Sequence, residues 1–152
     1  MLTAKGKYGL KAMIHLAKAA PGRLTLSEEI ARSNGISKKF LDAILGDLRT
    51  AGFIHARKGR NGGYALARLP GEIRVGHVLR VLDGPLAPIA CASRMAYRRC
   101  DDCVDEAKCG VRLVMLEVRD AISAVLDGMT VEQLRDMPAL TDIPEEKLIS
   151  NV

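Results

Sequence analysis

The punctuation of residues 8–68 constrains the fold of this chain more than any other feature of its sequence. Leu10, Met13, Ile14, Leu16 and Ala17 recur at helical spacing between Tyr8 and Ala20, and the pattern stops at Pro21-Gly22. Thr25-Leu26-Ser27-Glu28 reads as a capping box, in which the Thr hydroxyl and the Glu carboxylate satisfy free amides at the start of a second helix. That helix runs to Ser33 and ends at Asn34-Gly35, a dipeptide suited to a left-handed turn. Ser37 caps a third helix, along which Phe40, Leu41, Ile44, Leu45 and Leu48 line one face, and Gly52 ends it. Phe53–Arg57 and Tyr64–Leu66 read as strands joined by the basic turn Lys58-Gly59-Arg60-Asn61-Gly62-Gly63, which makes a hairpin. Helix, helix–turn–helix, then hairpin is the order of a winged helix.

Beyond the hairpin, Ile73–Leu82 reads as a short strand running into a helix, broken by Gly84-Pro85 and Pro88. Residues 91–109 are too polar and interrupted for a long regular element. From Val111 to Leu126 the residues Val111, Val114 (or Met115), Val118, Ile122 and Val125 fall at three- and four-residue steps, a stripe resembling one side of a helix pair. Thr130-Val131-Glu132-Gln133 is a second capping box, opening a short last helix. The expected fold is mainly α: a winged helix-turn-helix domain with a β-hairpin wing over 1–82, and a cysteine-bearing metal-binding loop over 83–109. A long dimerisation helix and a short terminal helix follow over 110–136, then a flexible tail over 137–152.

Charge is divided unevenly. Residues 1–68 hold thirteen Lys and Arg against four Asp and Glu, so a front of +9 precedes a remainder of −4 within a net +5. A basic front half suits contact with a polyanion, although a solvated charged surface gives the same balance. The leading turn of the third helix carries Ser37, Lys38, Lys39 and Asp42, small or polar side chains of the kind that reach base edges and phosphates in a major groove. In the hairpin turn, Lys58 and Arg60 flank Gly59, where a missing side chain lets the backbone approach DNA closely. With five aromatic residues and no tryptophan, the chain lacks the stacking platform of an RNA-binding sheet.

The four cysteines, Cys91, Cys100, Cys103 and Cys109, lie within nineteen residues. Thiolates are the soft ligands that iron–sulfur clusters and zinc select, and four complete either site. Arg94, Arg98, Arg99, Lys108 and Arg112 surround them and are expected to lower the thiol pKa values. Zinc knuckles use short paired spacings, of which only Cys100-Asp101-Asp102-Cys103 is one. A dithiol oxidoreductase would use the same pair at a strand-to-helix junction, which the pattern does not supply. Iron–sulfur, zinc, thiol redox and simple structural thiols all stay open at this point. No acid–base pair, nucleophile triad or nucleotide loop is present, so no enzyme is expected, and His15, His55 and His77 stand apart as structural residues. No stretch approaches the roughly 20 apolar residues of a membrane span. The basic N-terminus is interrupted by Lys11, His15 and Lys18, unlike a secretory signal, and lacks the Ser and Arg that transit peptides favour. A soluble cytoplasmic protein is expected, where stable disulfides are rare.

Together these residues resemble the IscR- and NsrR-type winged-helix iron–sulfur regulators, the Rrf-two family. The resemblance is carried by LTAKGKYGLKAM at the start, GISKKFLDAILGDLRTAGFI through the third helix, RKGRNGGYALA over the hairpin and the cysteine loop. It implies a homodimer joined by the helix at 110–126 that binds double-stranded DNA at a palindromic operator. It also implies a transcriptional regulator, with a repressor expected, sensing iron, redox or nitric-oxide state through a [2Fe–2S] or [4Fe–4S] cluster. A zinc-containing or metal-free thiol sensor of the same fold is the alternative, and a dithiol redox enzyme a further one. The resemblance places Ser37, Lys39 and Asp42 at base-reading positions, Lys58 and Gly59 at the minor groove, and Lys5 on a phosphate. It maps Cys91, Cys103 and Cys109 onto the three cysteine ligands. Arg112 stands where such proteins carry a ligating histidine and Lys7 where others carry an aspartate, so Cys100 is the inferred fourth ligand.

Overall fold

A computed structural model describes residues 2–144. Five helices, a two-stranded hairpin, a turn-rich loop and a short helix follow one another along the chain: α1 (Ala4–Lys18), α2 (Ser27–Asn34), α3 (Lys38–Thr50), β1 (Ile54–Arg57), β2 (Gly63–Leu66), α4 (Val75–Asp83), α5 (Gly110–Gly128) and α6 (Val131–Arg135). Of the expected tail over 137–152, residues 145–152 lie outside the described residues, and a single 3-10 turn occupies Leu140–Asp142.

The core is aliphatic, as a chain so poor in aromatics requires. Met13, Ile30, Leu41, Ile44, Leu45, Leu48, Ile54, Val78 and Val131 are all almost completely buried, drawn from every regular element except β2 and α5. Removing this much hydrocarbon from water is the main force holding α1–α4 together. Two glycines set how closely α1 meets α4. A Cβ on Gly6 would fall into the Asp83 carboxylate, and one on Gly9 into Leu82. Asp83 accepts hydrogen bonds from the Thr3 amide (3.0 Å) and the Thr3 hydroxyl, so the end of α4 clamps the start of α1.

Ser37 caps α3 by accepting from the Phe40 amide at 3.4 Å, and Gly35 closes α2 in the left-handed region (φ 63°). Thr130 and Gln133 form the expected capping box of α6. Two expectations fail. Thr25 does not cap α2, whose cap residue is Leu26. It is instead recruited as a third, one-residue strand: its N–H donates to the Tyr64 carbonyl (2.9 Å) and its carbonyl accepts from the Tyr64 N–H (2.8 Å). Phe40 does not join the core face of α3; it stays 37% exposed and meets the Tyr8 ring edge-on at 5.8 Å. Its position sits on the flank facing α1, outside the arc of Leu41, Ile44, Leu45 and Leu48.

The hairpin pairs Ile54 with Leu66 and Arg57 with Gly63. Its tip needs glycine: a Cβ on Gly62 would collide with the Arg57 carbonyl, and Gly63 (φ 146°) lies 2.7 Å in prospective Cβ distance from the Thr25 carbonyl. Backbone oxygens cannot give way as a flexible side chain can, so the sequence of the turn is fixed by packing as much as by conformation.

α5 stands apart, with no buried residue along its length. It is joined to the rest through α4 and the loop. Arg80 forms a bidentate ion pair with Asp127 (2.6 and 2.8 Å), and Arg74 pairs by a backbone bridge with Thr130 at the corner into α6. Among the described residues no helix is long and apolar enough to cross a membrane.

Candidate DNA interface and cysteine site

The outward edge of α3 and the hairpin tip present most of the expected DNA-contact residues to solvent. Ser37, Lys38, Lys39, Lys58, Gly59 and Arg60 are exposed, while Asp42 and Lys5 are half-buried. Several are already engaged. The Lys38 ammonium pairs with Asp42 at 2.8 Å, one helical turn away, and that hydrogen bond raises the Lys38 pKa. Lys5 pairs with Asp47 on α3 at 2.7 Å, which ties α1 to the third helix as well as adding charge. Lys39 makes no ion pair among the described residues. Asp47 was not singled out by sequence reading; a contact between residues 5 and 47 leaves no local signal in the chain.

The cysteine loop is folded by short turns rather than by regular structure, with 3-10 turns at Ala90–Ala92 and Glu106–Lys108. It brings all four thiols to one place. Cys91, Cys100, Cys103 and Cys109 line a cavity of about 270 Å³ together with Ile89, Asp102, Glu106, Val111 and Arg112 at the start of α5. Cys91 is buried, the other three are half-buried, and all four are free thiols. Among the described residues, no three Cys, His, Asp or Glu side chains are gathered closely enough to hold a metal ion.

Contrary to expectation, Cys100 and Cys103 lie above the ordinary thiol value despite the surrounding cations. The neighbouring Cys91 thiol, followed by desolvation, pushes Cys100 up, and desolvation followed by the neighbouring Cys109 pushes Cys103 up. The guanidiniums are occupied elsewhere. Arg94 reaches Asp120 (3.2 Å), Arg99 reaches Glu106 (3.3 Å) and the Cys103 carbonyl (3.0 Å), and Arg112 donates to the Cys91 carbonyl (3.1 Å) and faces Glu106 (3.7 Å). Glu106 also accepts from the Tyr97 hydroxyl, and Arg112 lies over the Tyr97 ring at 5.8 Å. Tyr97, Arg99, Glu106 and Arg112 thus fasten the loop to the head of α5. Sequence reading found the arginines but not the carboxylate that organises them.

Arg119 of α5, only 11% exposed, donates to the Ala92 carbonyl at 2.7 Å, so the turn carrying Cys91 is held at two heights along α5. His15 lies 3.8 Å from Glu29, and His77 stands on the rim of α4 near Asp127; neither approaches a thiol cavity residue.

Comparison with known proteins agrees with this architecture. The profile of the Rrf2 family, described as an iron-dependent transcriptional regulator, matches residues 2–137. An rrf2-like HTH-type transcriptional regulator of Rhodobacter capsulatus is 45% identical over 138 residues, covering 88% of this chain and 91% of that protein. The HTH-type transcriptional regulator CymR of Bacillus subtilis is 32% identical over 145 residues, covering 95% and 94%. The solved structure of that CymR, described as the global cysteine regulator, superposes with a TM-score of 0.75 over 91% of this chain and 98% of its own. IscR of T. potens superposes with a TM-score of 0.70 at 28% identity, covering 97% and 95%. These proteins regulate transcription and are not enzymes, and they share the helical winged fold with its two-stranded hairpin. The chain belongs to the Rrf2 family of helix–turn–helix transcriptional regulators.

Proposed function

We propose that this regulator is a cytoplasmic homodimer joined along α5, that it represses transcription from a palindromic operator, and that Cys91, Cys100, Cys103 and Cys109 hold a [2Fe–2S] or [4Fe–4S] cluster sensing iron, redox or nitric-oxide state. The observation that carries the reading is the convergence of four thiols from a nineteen-residue loop on one cavity at the head of α5. Four soft donors suit a cluster or zinc, and the Arg112 guanidinium stands in the wall of the same cavity. Bound there, the group would supply a redox- and ligand-sensitive centre. Drawing the thiols together around it would pull on Cys91, whose carbonyl is bound by Arg112, and on the turn held by Arg119.

The dimer is supported by the unpartnered stripe on α5, where Val111, Val114, Val118 and Val125 are all exposed. Two such helices packed side by side would fix the spacing of two α3 helices, which a palindromic operator reads. DNA contact is assigned to Ser37, Lys39 and Asp42 on α3, to Lys58, Gly59 and Arg60 on the hairpin, and to Lys5 and Lys38 on their flanks. A metal-free thiol sensor is the second reading, favoured by four free thiols on one cavity.

Iron, zinc and acid-labile sulfide are to be measured in anaerobically purified protein, followed by mobility shifts of loaded and metal-free protein on its own promoter region. Iron with sulfide and unequal affinity of the two forms is the expected result. Zinc alone overturns the cluster, and equal affinity overturns gating by it.

A further inference from the structure

A second cavity, of about 480 Å³, opens between α4 and α5 and is walled on its third side by the segment 85–95. That segment divides it from the thiol cavity: Cys91 lines one, while Ser93, Arg94 and Met95 line the other. Three guanidiniums stand in its walls, of Arg80, Arg94 and Arg119, against two carboxylates, of Asp120 and Asp127. Asp127 is taken by Arg80 in the bidentate pair. Asp120 is shared: it accepts from Arg119 at 2.7 and 2.9 Å and from Arg94 at 3.2 Å. One positive charge is therefore left without a counterion of its own. Hydroxyl donors are left over as well. Ser93 is 8% exposed and its oxygen accepts from the Ala96 amide at 3.0 Å, yet neither its proton nor the Ser123 hydroxyl has a partner among the described residues. Pro85, Leu86, Ala87 and Met95 supply an apolar wall.

Unpaired N–H and O–H donors beside hydrocarbon match an anionic head carried on an apolar body, and the volume is that of small-molecule sites, roughly 300–1,000 Å³. A carboxylate meets a guanidinium through parallel hydrogen bonds, and one such head supplies the single charge that is missing. We propose that this cavity is an effector site for a small organic monoanion, a carboxylate on an apolar body, whose binding changes the affinity of the regulator for DNA. Arg94 is 73% exposed and reaches Asp120 through Nη2 alone, so its other N–H groups are free for the head. Ser93 and Ser123 complete the hydrogen bonds of the head, and the apolar wall takes the body. The route to DNA is mechanical. α4 is packed into the core of the DNA-binding domain through Val78 and Leu82, whereas Arg119, Ser123 and Asp127 belong to α5. A ligand held between them favours one arrangement of the two helices over others, and only that difference shifts DNA affinity. Successive residues turn about 100° round a helix, which puts 119, 120, 123 and 127 on the side of α5 away from the stripe of Val111, Val114, Val118 and Val125. The cavity thus stays open in a dimer joined along that stripe. The site stands on the cavity; its effect on DNA rests on the dimer reading above.

The test is calorimetry on the full chain, purified anaerobically, with naphthoate as the anion and naphthylmethanol as its neutral counterpart. One naphthoate per chain is expected, bound at least about tenfold more tightly than naphthylmethanol. Equal affinity for the two overturns the anion site. Ser123→Phe fills the cavity and should abolish binding, with an unchanged urea midpoint showing that the chain still folds. Arg94→Ala, at a position too exposed to disturb folding, should weaken naphthoate by at least about threefold and leave naphthylmethanol unchanged. Naphthoate affinity unchanged by Arg94→Ala, or by Ser123→Phe in a folded chain, places binding on another exposed face and overturns the proposal. Mobility shifts on the protein's own promoter region, at saturating naphthoate, should show DNA affinity changed by at least about threefold, and DNA should change naphthoate affinity by the same factor. Naphthoate bound as stated with DNA affinity unchanged overturns the effector role and leaves the site standing. A chain that sediments as a monomer while it binds naphthoate overturns the dimer reading instead.

Discussion

The ion pair between Arg80 and Asp127 is the strongest side-chain tie between the DNA-binding domain and α5, and a glycine makes room for it. A Cβ on Gly76 would fall into the Asp127 carboxylate and lie 3.0 Å from the Arg80 guanidinium. The obstructing atoms are side-chain ends, so Gly76→Ala should evict the carboxylate and leave the backbone of α4 in place. The two contacts, at 2.6 and 2.8 Å, are charge-assisted, and Arg80 and Asp127 are 22% and 39% exposed. Discounting for solvent at the carboxylate, loss of the pair should cost about 1–2 kcal/mol. Against this, alanine is a better helix former than glycine by about 0.5–1 kcal/mol, nearer the lower figure in a first helical turn.

The substitution therefore has opposite signs in two backgrounds. In the native chain Gly76→Ala should destabilise by about 0.5–1.5 kcal/mol, the lost pair outweighing the gain in helix propensity. In an Asp127→Ala chain the pair is already gone, and the same change should stabilise by about 0.5 kcal/mol. Urea unfolding of the four chains, at one fixed protein concentration because the protein is proposed to dimerise, gives the coupling energy directly. About 1–2 kcal/mol is expected; additive effects to within about 0.5 kcal/mol would refute the argument, because they would mean the glycine and the ion pair do not share the space the coordinates give them.

The same pair makes acid stability testable: the Arg80 hydrogen bond lowers the Asp127 pKa, so its contribution is present above the ordinary aspartate value and is lost as pH falls through the folded one. Asp127→Asn should accordingly flatten the acid limb of stability while leaving less to lose between about pH 4 and lower values. Ser37→Ala removes the hydroxyl that accepts from the Phe40 amide and should cost about 1 kcal/mol in urea unfolding; an unchanged midpoint would show that the cap is replaced by water. Gly62→Ala should disorder the hairpin tip, because the obstruction is the Arg57 carbonyl, and should weaken DNA binding far more than it lowers the midpoint. Lys39→Ala should reduce the slope of log affinity against log salt by about 1 if it neutralises a phosphate, as mobility shifts across a salt series would read.

The helix–turn–helix and hairpin were legible because their signals are local. Ser37 before a periodic apolar run, Asn34-Gly35 after one, and Lys58–Gly63 between alternating segments each describe a few neighbouring residues. Thr25 shows the limit of that reading. Its spacing to Glu28 fits a capping box, but the Tyr64 backbone offers two hydrogen bonds to the Thr25 backbone, and satisfying those buried groups outweighs a surface cap. The Thr25 hydroxyl is left buried without a partner, the residue of that competition. Phe40 was misplaced for a different reason. Helical periodicity assigns a face but not its edges, and the edge here is decided by Tyr8, thirty-two positions away.

In the cysteine loop the ligand types were legible and their grouping was not. Spacing draws attention to Cys100 and Cys103 because they are near in sequence, whereas the turn at Ala90–Ala92 and the arginines of α5 bring Cys91 back to the cavity that Cys100, Cys103 and Cys109 line. The basic residues misled in the same way. Counted along the chain they surround the thiols and should favour thiolate; in space Glu106, Asp120 and two backbone carbonyls take their hydrogen bonds, and desolvation with thiol–thiol contact leaves Cys100 and Cys103 harder to ionise. Those same contacts are what give the loop mechanical purchase. Arg112 of α5, spent on the Cys91 carbonyl, ties that turn to the helix, whereas a guanidinium spent on the sulfur itself would only screen its charge.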